Sequence, residues 1–210
     1  MTSLSFPPTF FVSGTDTDVG KTVVSALVTL GLGARYWKPV QSGTLEGWDR
    51  ERVQAWTGLP DDHFRPETYA LREPLSPHAA AALDGVRIDL DAFVLPPSDG
   101  RPLVVEGAGG LLVPLNEEAL VIDLIDRLQL PVLLVARSGL GTINHTLLSL
   151  AALRSRQLPI LGVVLNGPRH PGNRAAIETY GQVSVLAELE LLAEITPQTL
   201  GQTWQRLFPA

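Results

Sequence analysis

A nine-residue stretch, Gly14-Thr15-Asp16-Thr17-Asp18-Val19-Gly20-Lys21-Thr22, joins an apolar run to a segment with helical spacing, and it constrains the fold more than any other feature of the chain. The run before it, Thr9–Ser13, is short and apolar; the segment after it, Lys21–Leu32, sets Val24, Leu27, Val28 and Leu32 on one stripe. A strand that passes through a tight turn into a helix start presents unpaired backbone N–H groups and the positive end of a helix dipole, which together suit a phosphate. In that setting the Lys21 ammonium is placed to bridge β- and γ-phosphate oxygens, and the Thr22 hydroxyl to ligate Mg²⁺. Thr15 stands where the strict pattern has its first glycine, and Gly14 falls one residue early. Gly-Lys-Thr arises by chance in about one chain in ten of this length, so the flanking strand and helix carry the reading.

The same alternation continues along the chain. Leu103–Glu106, Pro131–Ala136 and Ile160–Asn166 are short runs rich in Val and Leu, the habit of strands buried on both faces of a parallel sheet. Arg35–Val40 and Val183–Leu189 are expected as further strands, and Thr142–Gln157 places Leu147, Leu150 and Leu153 along a second helical stripe. Thr44–Val86, with Pro60, Pro66, Pro74 and Pro77, is expected to hold loops and short helices over a binding face. Strand alternating with helix predicts an α/β fold of three layers, P-loop NTPase-like, with a mainly parallel central sheet. Without a linker, repeat or charge block, residues 1–210 are read as one domain.

Composition removes several function classes. The 210 residues contain no cysteine, which excludes disulfides, Cys-ligated metals and thiol catalysis. A net charge of −6 argues against a protein that mainly grips nucleic acid or an anionic membrane. No run approaches the roughly 20 apolar residues that cross a bilayer. Met1–Val12 carries no Lys or Arg and is interrupted by Pro7 and Pro8, a poor signal peptide, so the expected location is cytoplasmic. His63, His78, His145 and His170 lack metal-ligand spacing, and the four Trp residues are expected in packing. Glu117 and Glu118 are expected to favour the start of the helix after them.

Two further clusters end apolar runs. In Lys38-Pro39-Val40-Gln41-Ser42-Gly43, Lys38 and Ser42 are expected at the same mouth as the phosphate loop, because open α/β sheets bind ligands beyond the carboxyl ends of their strands. A second lysine there suits charge on a transferring phosphoryl group or an anionic acceptor, although taken alone Lys38 is equally an ordinary strand-end lysine. In Val104-Val105-Glu106-Gly107-Ala108-Gly109-Gly110, Glu106 takes the place of a Mg²⁺-holding acid, and the small residues admit close backbone approach. A dinucleotide fold loses its fingerprint, since Leu112 stands where Gly107-Ala108-Gly109 would need a final glycine. A guanine reader is disfavoured because Asn166 is followed by Gly167-Pro168-Arg169.

Five ordered blocks, 14–22, 38–43, Ser76-Pro-His-Ala-Ala, 105–110 and Leu140-Gly-Thr-Ile-Asn-His, resemble those of the dethiobiotin synthetase family. The resemblance implies ATP- and Mg²⁺-dependent carboxylation of 7,8-diaminononanoate by CO₂ (or bicarbonate), and ring closure through a carbamate and a carbamic–phosphoric anhydride. It implies catalytic roles for Lys21 and Lys38, a metal set of Thr22, Asp49 and Glu106, and nucleotide contacts from Thr17, Asp18, Val19, Gly20, Gly107, Ala108 and Gly109. Asn166 and Glu190, Leu191 and Leu192 are carried over to the nucleobase, and Thr15, Lys38 and Ser42 to the substrate. Gly141, Thr142 and Asn144 match a helix start that holds the substrate carboxylate from the partner subunit, which implies a homodimer. Two other readings remain: a synthetase or partitioning ATPase on the same scaffold, and a nucleotide-dependent interaction module. Synthetases with a Cys-dependent glutaminase do not fit a chain without cysteine, and the extra loop lysine of partitioning ATPases is missing from positions 14–19.

Overall fold

The computed structural model describes residues 6–209, so Met1–Ser5 of the N-terminal stretch lie outside the described residues. In chain order the elements are β1 (Thr9–Gly14), α1 (Lys21–Leu32), β2 (Arg35–Trp37), β3 (Val40–Gln41), α2 (Asp49–Thr57), β4 (Phe64–Arg65), β5 (Tyr69–Ala70) and α3 (Pro77–Leu83). They continue with β6 (Leu103–Gly110), α4 (Val121–Leu128), β7 (Val132–Arg137), α5 (Thr142–Ser155), β8 (Ile160–Asn166), α6 (Pro171–Gly181), β9 (Val185–Leu189) and α7 (Pro197–Leu207).

Seven strands form the central sheet in the order β4-β2-β6-β1-β7-β8-β9, and every neighbouring pair is parallel. The chain leaves β1 toward β2 on one side, whereas β7, β8 and β9 build outward on the other. This reversal opens a crevice at the carboxyl end of β1, the usual ligand position in such sheets.

Period-two alternation in β1 divides the core. Phe10 and Val12 pack with Val24, Leu27 and Val28 of α1 and with Leu200 of α7 on one face. Phe11 packs with Val121, Ile122 and Ile125 of α4 on the other, where α5 and α6 contribute Leu150 and Ile177 beyond it. Burial of each such side chain contributes roughly 1.5–3 kcal/mol. Three layers result, as the sequence pattern predicts.

Several boundaries differ from the sequence reading for physical reasons. The strand expected over Arg35–Val40 stops at Trp37, because Pro39 has no N–H for the ladder; the chain then pairs β3 with β5 in a separate two-stranded sheet. β6 runs on to Gly110, since Gly14 pairs with Gly110 after a register shift and residues without side chains let the strands stay together. β4 and β5 have two residues each, too few to show a period. Glu117 and Glu118 do not open a helix. They pair with Arg87, and α4 starts later, at Val121, with Asp123 as its first-turn acid.

Candidate nucleotide and substrate site

Beyond the carboxyl ends of β1, β2 and β6 lies a cavity of about 660 Å³, lined by Lys21, Lys38, Ser42, Asp49, Glu106 and their neighbours. The three clusters expected at one mouth therefore meet there. Gly20 at φ +95° turns the phosphate loop into α1, whose first residues are Lys21 and Thr22. The first amides of a helix have no partner within it and face a ligand. Lys21 is buried and donates from Nζ to the Asp16 carbonyl of its own loop at 3.0 Å. Asp16 is tied down in turn: its Oδ1 accepts from the Thr17 amide at 2.8 Å and its Oδ2 from Arg137 Nη2 at 2.6 Å.

Acids and bases alternate across the floor of the cavity. Lys38 Nζ donates to Glu106 Oε1 at 3.1 Å and to Asp49 Oδ2, while Thr22 Oγ1 donates to Glu106 Oε1 at 2.9 Å. Glu106 is fully buried, and its second oxygen accepts from the Tyr36 hydroxyl at 3.0 Å. Arg52 Nη1 lies 3.3 Å from Asp49 Oδ1. The Gln41 amide accepts from the Asp49 backbone N–H at 3.3 Å and donates to the Ser42 carbonyl at 2.6 Å, which fixes the start of α2 against the loop carrying Ser42.

This arrangement sets the proton affinities. At Lys21 burial dominates, reinforced by the Lys38 charge, and the pKa is lowered from the lysine value despite Glu106 nearby. At Lys38 burial also lowers the pKa, but the Glu106 and Asp49 charges together outweigh it, so the net shift is upward. Tyr36 is pushed well above the phenol range, first by burial and then by the Glu106 charge, and so remains a donor.

Among the described residues no three His, Cys, Asp or Glu side chains cluster as a metal site. Mg²⁺ asks for less: one or two carboxylates, with water and phosphate oxygens completing its shell. Asp49 and Glu106 already converge on a single cation, the Lys38 ammonium, beside the Thr22 hydroxyl. That donor set fits the ion.

The remaining expected residues fall into three places. Thr17, Asp18, Ala108 and Gly109 line the cavity. Val19 is buried under the loop, and Gly107 lies against the Phe11 ring, where an added Cβ would come within 2.7 Å. Asn166 ends β8 and donates its amide to the Val19 carbonyl at 3.0 Å; Glu190, Leu191 and Leu192 follow β9 beside it, with Glu190 paired to Arg169. Thr15 lines a second, largely apolar cavity of about 450 Å³ with Thr17, Leu111, Val113, His145 and Leu148. The Thr15 and Ser42 hydroxyls are buried without a hydrogen-bond partner, as is His145 Nδ1. Gly141 and Asn144 are exposed at the start of α5, and the Thr142 hydroxyl donates to the Arg137 carbonyl; none of the three lines either cavity.

Tyr36, Gln41 and Arg52 have no role in the sequence reading. Gln41 stands inside a motif already singled out, whereas Tyr36 and Arg52 become visible through strand register and helix placement. Trp37, Trp56 and Trp204 pack in the hydrophobic core as expected, and Trp204 lies tilted against Phe208 with ring centroids 4.6 Å apart.

Known proteins resemble the chain at two levels. The AAA domain family matches residues 8–199. Among solved structures, a plasmid partition protein from Borrelia burgdorferi B31 has a TM-score of 0.55 at 10% identity, covering 97% of this chain and 98% of its own. A ParA family ATPase from Chlorobium tepidum TLS has a TM-score of 0.51 at 11% identity, covering 96% and 91%. These two share the fold. The ATP-dependent dethiobiotin synthetase of Paramagnetospirillum magneticum is 55% identical over 190 residues, 90% of this chain and 91% of that protein. That of Bradyrhizobium diazoefficiens is 50% identical over 94% of this chain and 93% of its own. A biotin biosynthesis bifunctional protein of Bordetella avium is 52% identical over 97% of this chain, which spans 43% of it. With half its residues shared over nine-tenths of its length, the chain belongs to the ATP-dependent dethiobiotin synthetase family.

Proposed function

We propose that the chain is a C–N bond-forming ligase that carboxylates 7,8-diaminononanoate with CO₂ and closes the cyclic urea of dethiobiotin at the expense of ATP. The observation that carries this reading is the convergence of two lysines and two carboxylates on one cavity at the end of the phosphate loop. Residues 1–210 act as one catalytic domain in this account, supported by the family match over 8–199.

The chemistry asks an anion to attack an anion. One substrate amine adds to CO₂ and loses a proton, giving a carbamate. A carbamate oxygen then attacks the γ-phosphorus of ATP, ADP departs, and a carbamic–phosphoric anhydride forms. The second amine attacks the carbonyl carbon, the C–O bond to phosphate breaks, and the ring closes with loss of a proton. Phosphoryl transfer of this kind needs position and charge more than covalent help. Lys21 serves the phosphate chain and Lys38 the carbamate, where negative charge gathers. Thr22, Asp49 and Glu106 would hold Mg²⁺, which would supply positive charge to offset that of the phosphoryl group in transfer. The hydroxyls of Thr15 and Ser42, buried without a partner, are assigned to the substrate in this account.

Asn166, whose side-chain amide donates to the Val19 carbonyl, serves the nucleobase in this account together with Glu190, Leu191 and Leu192. The α5 start at Gly141, Thr142 and Asn144 serves the substrate carboxylate of a second protomer in a homodimer. Exposed Leu112, Leu140 and Leu148 on that face support association.

Purified protein is expected to consume ATP faster when diaminononanoate and bicarbonate are added together, and to yield a cyclic urea detectable by mass spectrometry. Absence of both the stimulation and the product removes the proposed function.

A further inference from the structure

Glu106 is a fully buried carboxylate with three donors, unequally shared. Its Oε1 takes Lys38 and Thr22, both of which line the cavity, whereas Oε2 has a single donor, the Tyr36 hydroxyl. Register explains why Tyr36 reaches it. Tyr36 of β2 pairs with Val104 of β6, and Glu106 is two residues further along the same strand, so both side chains leave the same face of the sheet. Such diagonal neighbours lie within reach of an aromatic side chain. The Tyr36 ring is itself wholly buried beside Phe64.

A glutamate is soft at its last torsion, and either oxygen can face a ligand unless a partner holds one. We infer that Tyr36 is a positioning residue: its hydroxyl holds Oε2 of Glu106 and thereby keeps Oε1 turned to the cavity, where it presents one oxygen to the cation of the reaction. This inference rests on the assignment of Glu106 to the Mg²⁺ site in the proposed function. Partners that orient a ligating group commonly change metal affinity by about 10- to 100-fold when removed.

Tyr36→Phe tests it, because the substitution deletes one oxygen and keeps the ring. In the full chain saturated with a non-hydrolysable ATP analogue, Mg²⁺ titration by calorimetry should show affinity weakened about tenfold or more. In turnover assays the Mg²⁺ concentration for half-maximal rate should rise by more than kcat falls. A Glu106→Gln variant should bind Mg²⁺ weakly, and adding Tyr36→Phe to it should change that affinity no further. Unaltered Mg²⁺ affinity in Tyr36→Phe, or additive losses in the double variant, overturns the role of Tyr36 while leaving the metal site intact. Wild-type Mg²⁺ binding that ignores Glu106→Gln overturns the metal assignment as well. Should Tyr36→Phe alone fail to fold, the double variant is expected to regain its thermal transition, since a neutral amide in place of the Glu106 carboxylate demands less of that hydroxyl; failure to regain it marks Tyr36 as a packing residue and overturns the inference.

Discussion

Lys38 Nζ lies 3.1 Å from Glu106 Oε1 and pairs at the same time with Asp49, so one ammonium holds the point where two acidic side chains meet. Its charge is balanced within the protein, unlike that of Lys21, whose Nζ donates to a carbonyl. The two lysines of the cavity therefore differ in what each gives up on ligand binding.

Lys38→Ala is expected to lower cyclic urea formation by about 10²–10³, the range for loss of one group aimed at transition-state charge, while nucleotide affinity largely survives. Without the ammonium the two carboxylates should also bind Mg²⁺ more tightly in nucleotide-free protein, measurable by calorimetry. A loss of nucleotide affinity equal to that of Lys21→Ala would show that the lysines share one role.

Lys21→Met should stabilise the ligand-free protein at neutral pH and abolish tight nucleotide binding. The folded pKa of Lys21 lies below the ordinary 10.5 because of burial, so holding its charge costs stability at pH values below that lowered pKa. The cost fades as pH rises through the folded pKa toward 10.5, where the unfolded chain also loses the proton. The melting-temperature gain of Lys21→Met over wild type should thus shrink on going from neutral to alkaline pH. A gain that grows with pH contradicts the burial argument.

Gly20→Ala should cost nucleotide affinity at least tenfold, an energy of about 1.4 kcal/mol. An L-residue is strained at φ +95°, and its Cβ would collide with the Asn166 amide that is bonded to Val19. Gly172→Ala, whose Cβ meets nothing within 4 Å, is the matched control and should bind as wild type. Fluorescent nucleotide titration distinguishes the two.

Gly31→Ala should destabilise the fold although alanine is the better helix former by about 1 kcal/mol. The added Cβ would press into the Trp204 ring, where α7 packs on α1, and overpacking of this kind costs about 1–3 kcal/mol. A thermal melt that shows higher stability would mean that α7 shifts freely over α1.

Leu148→Asp tests the homodimer. Leu148 is 62% exposed and borders the 450 Å³ cavity, close to Leu112 at 63%. A charge there should convert a dimer to monomers in light scattering and reduce turnover of the long-chain diamine, with the thermal transition retained. An unchanged molar mass at all concentrations would place the interface elsewhere.

Much of this is legible along the chain itself. Thr9–Ser13 and Lys21–Leu32 carry their structure in local periodicity, and the observed elements match them within one residue. Lys21, Lys38, Ser42 and Glu106 could be placed at one mouth because parallel strands put their carboxyl ends on one side. Local signals failed where pairing partners are distant. β4 and β5 owe their existence to neighbours rather than to their two residues, and the break at Pro39 redirected a strand that hydrophobicity alone would have continued.

The sequence by itself determined the three layers, the phosphate loop and the residue types that gather around it, because periodicity and motif spacing are properties of neighbours along the chain. Tertiary structure alone decided which partners each oxygen of Glu106 finds, that Lys38 rather than Lys21 is held by the acids, and that Tyr36, Gln41 and Arg52 contact the groups of the site. Those outcomes depend on strand register and on burial, and a few ångströms of displacement across the sheet decide which partner a buried charge finds.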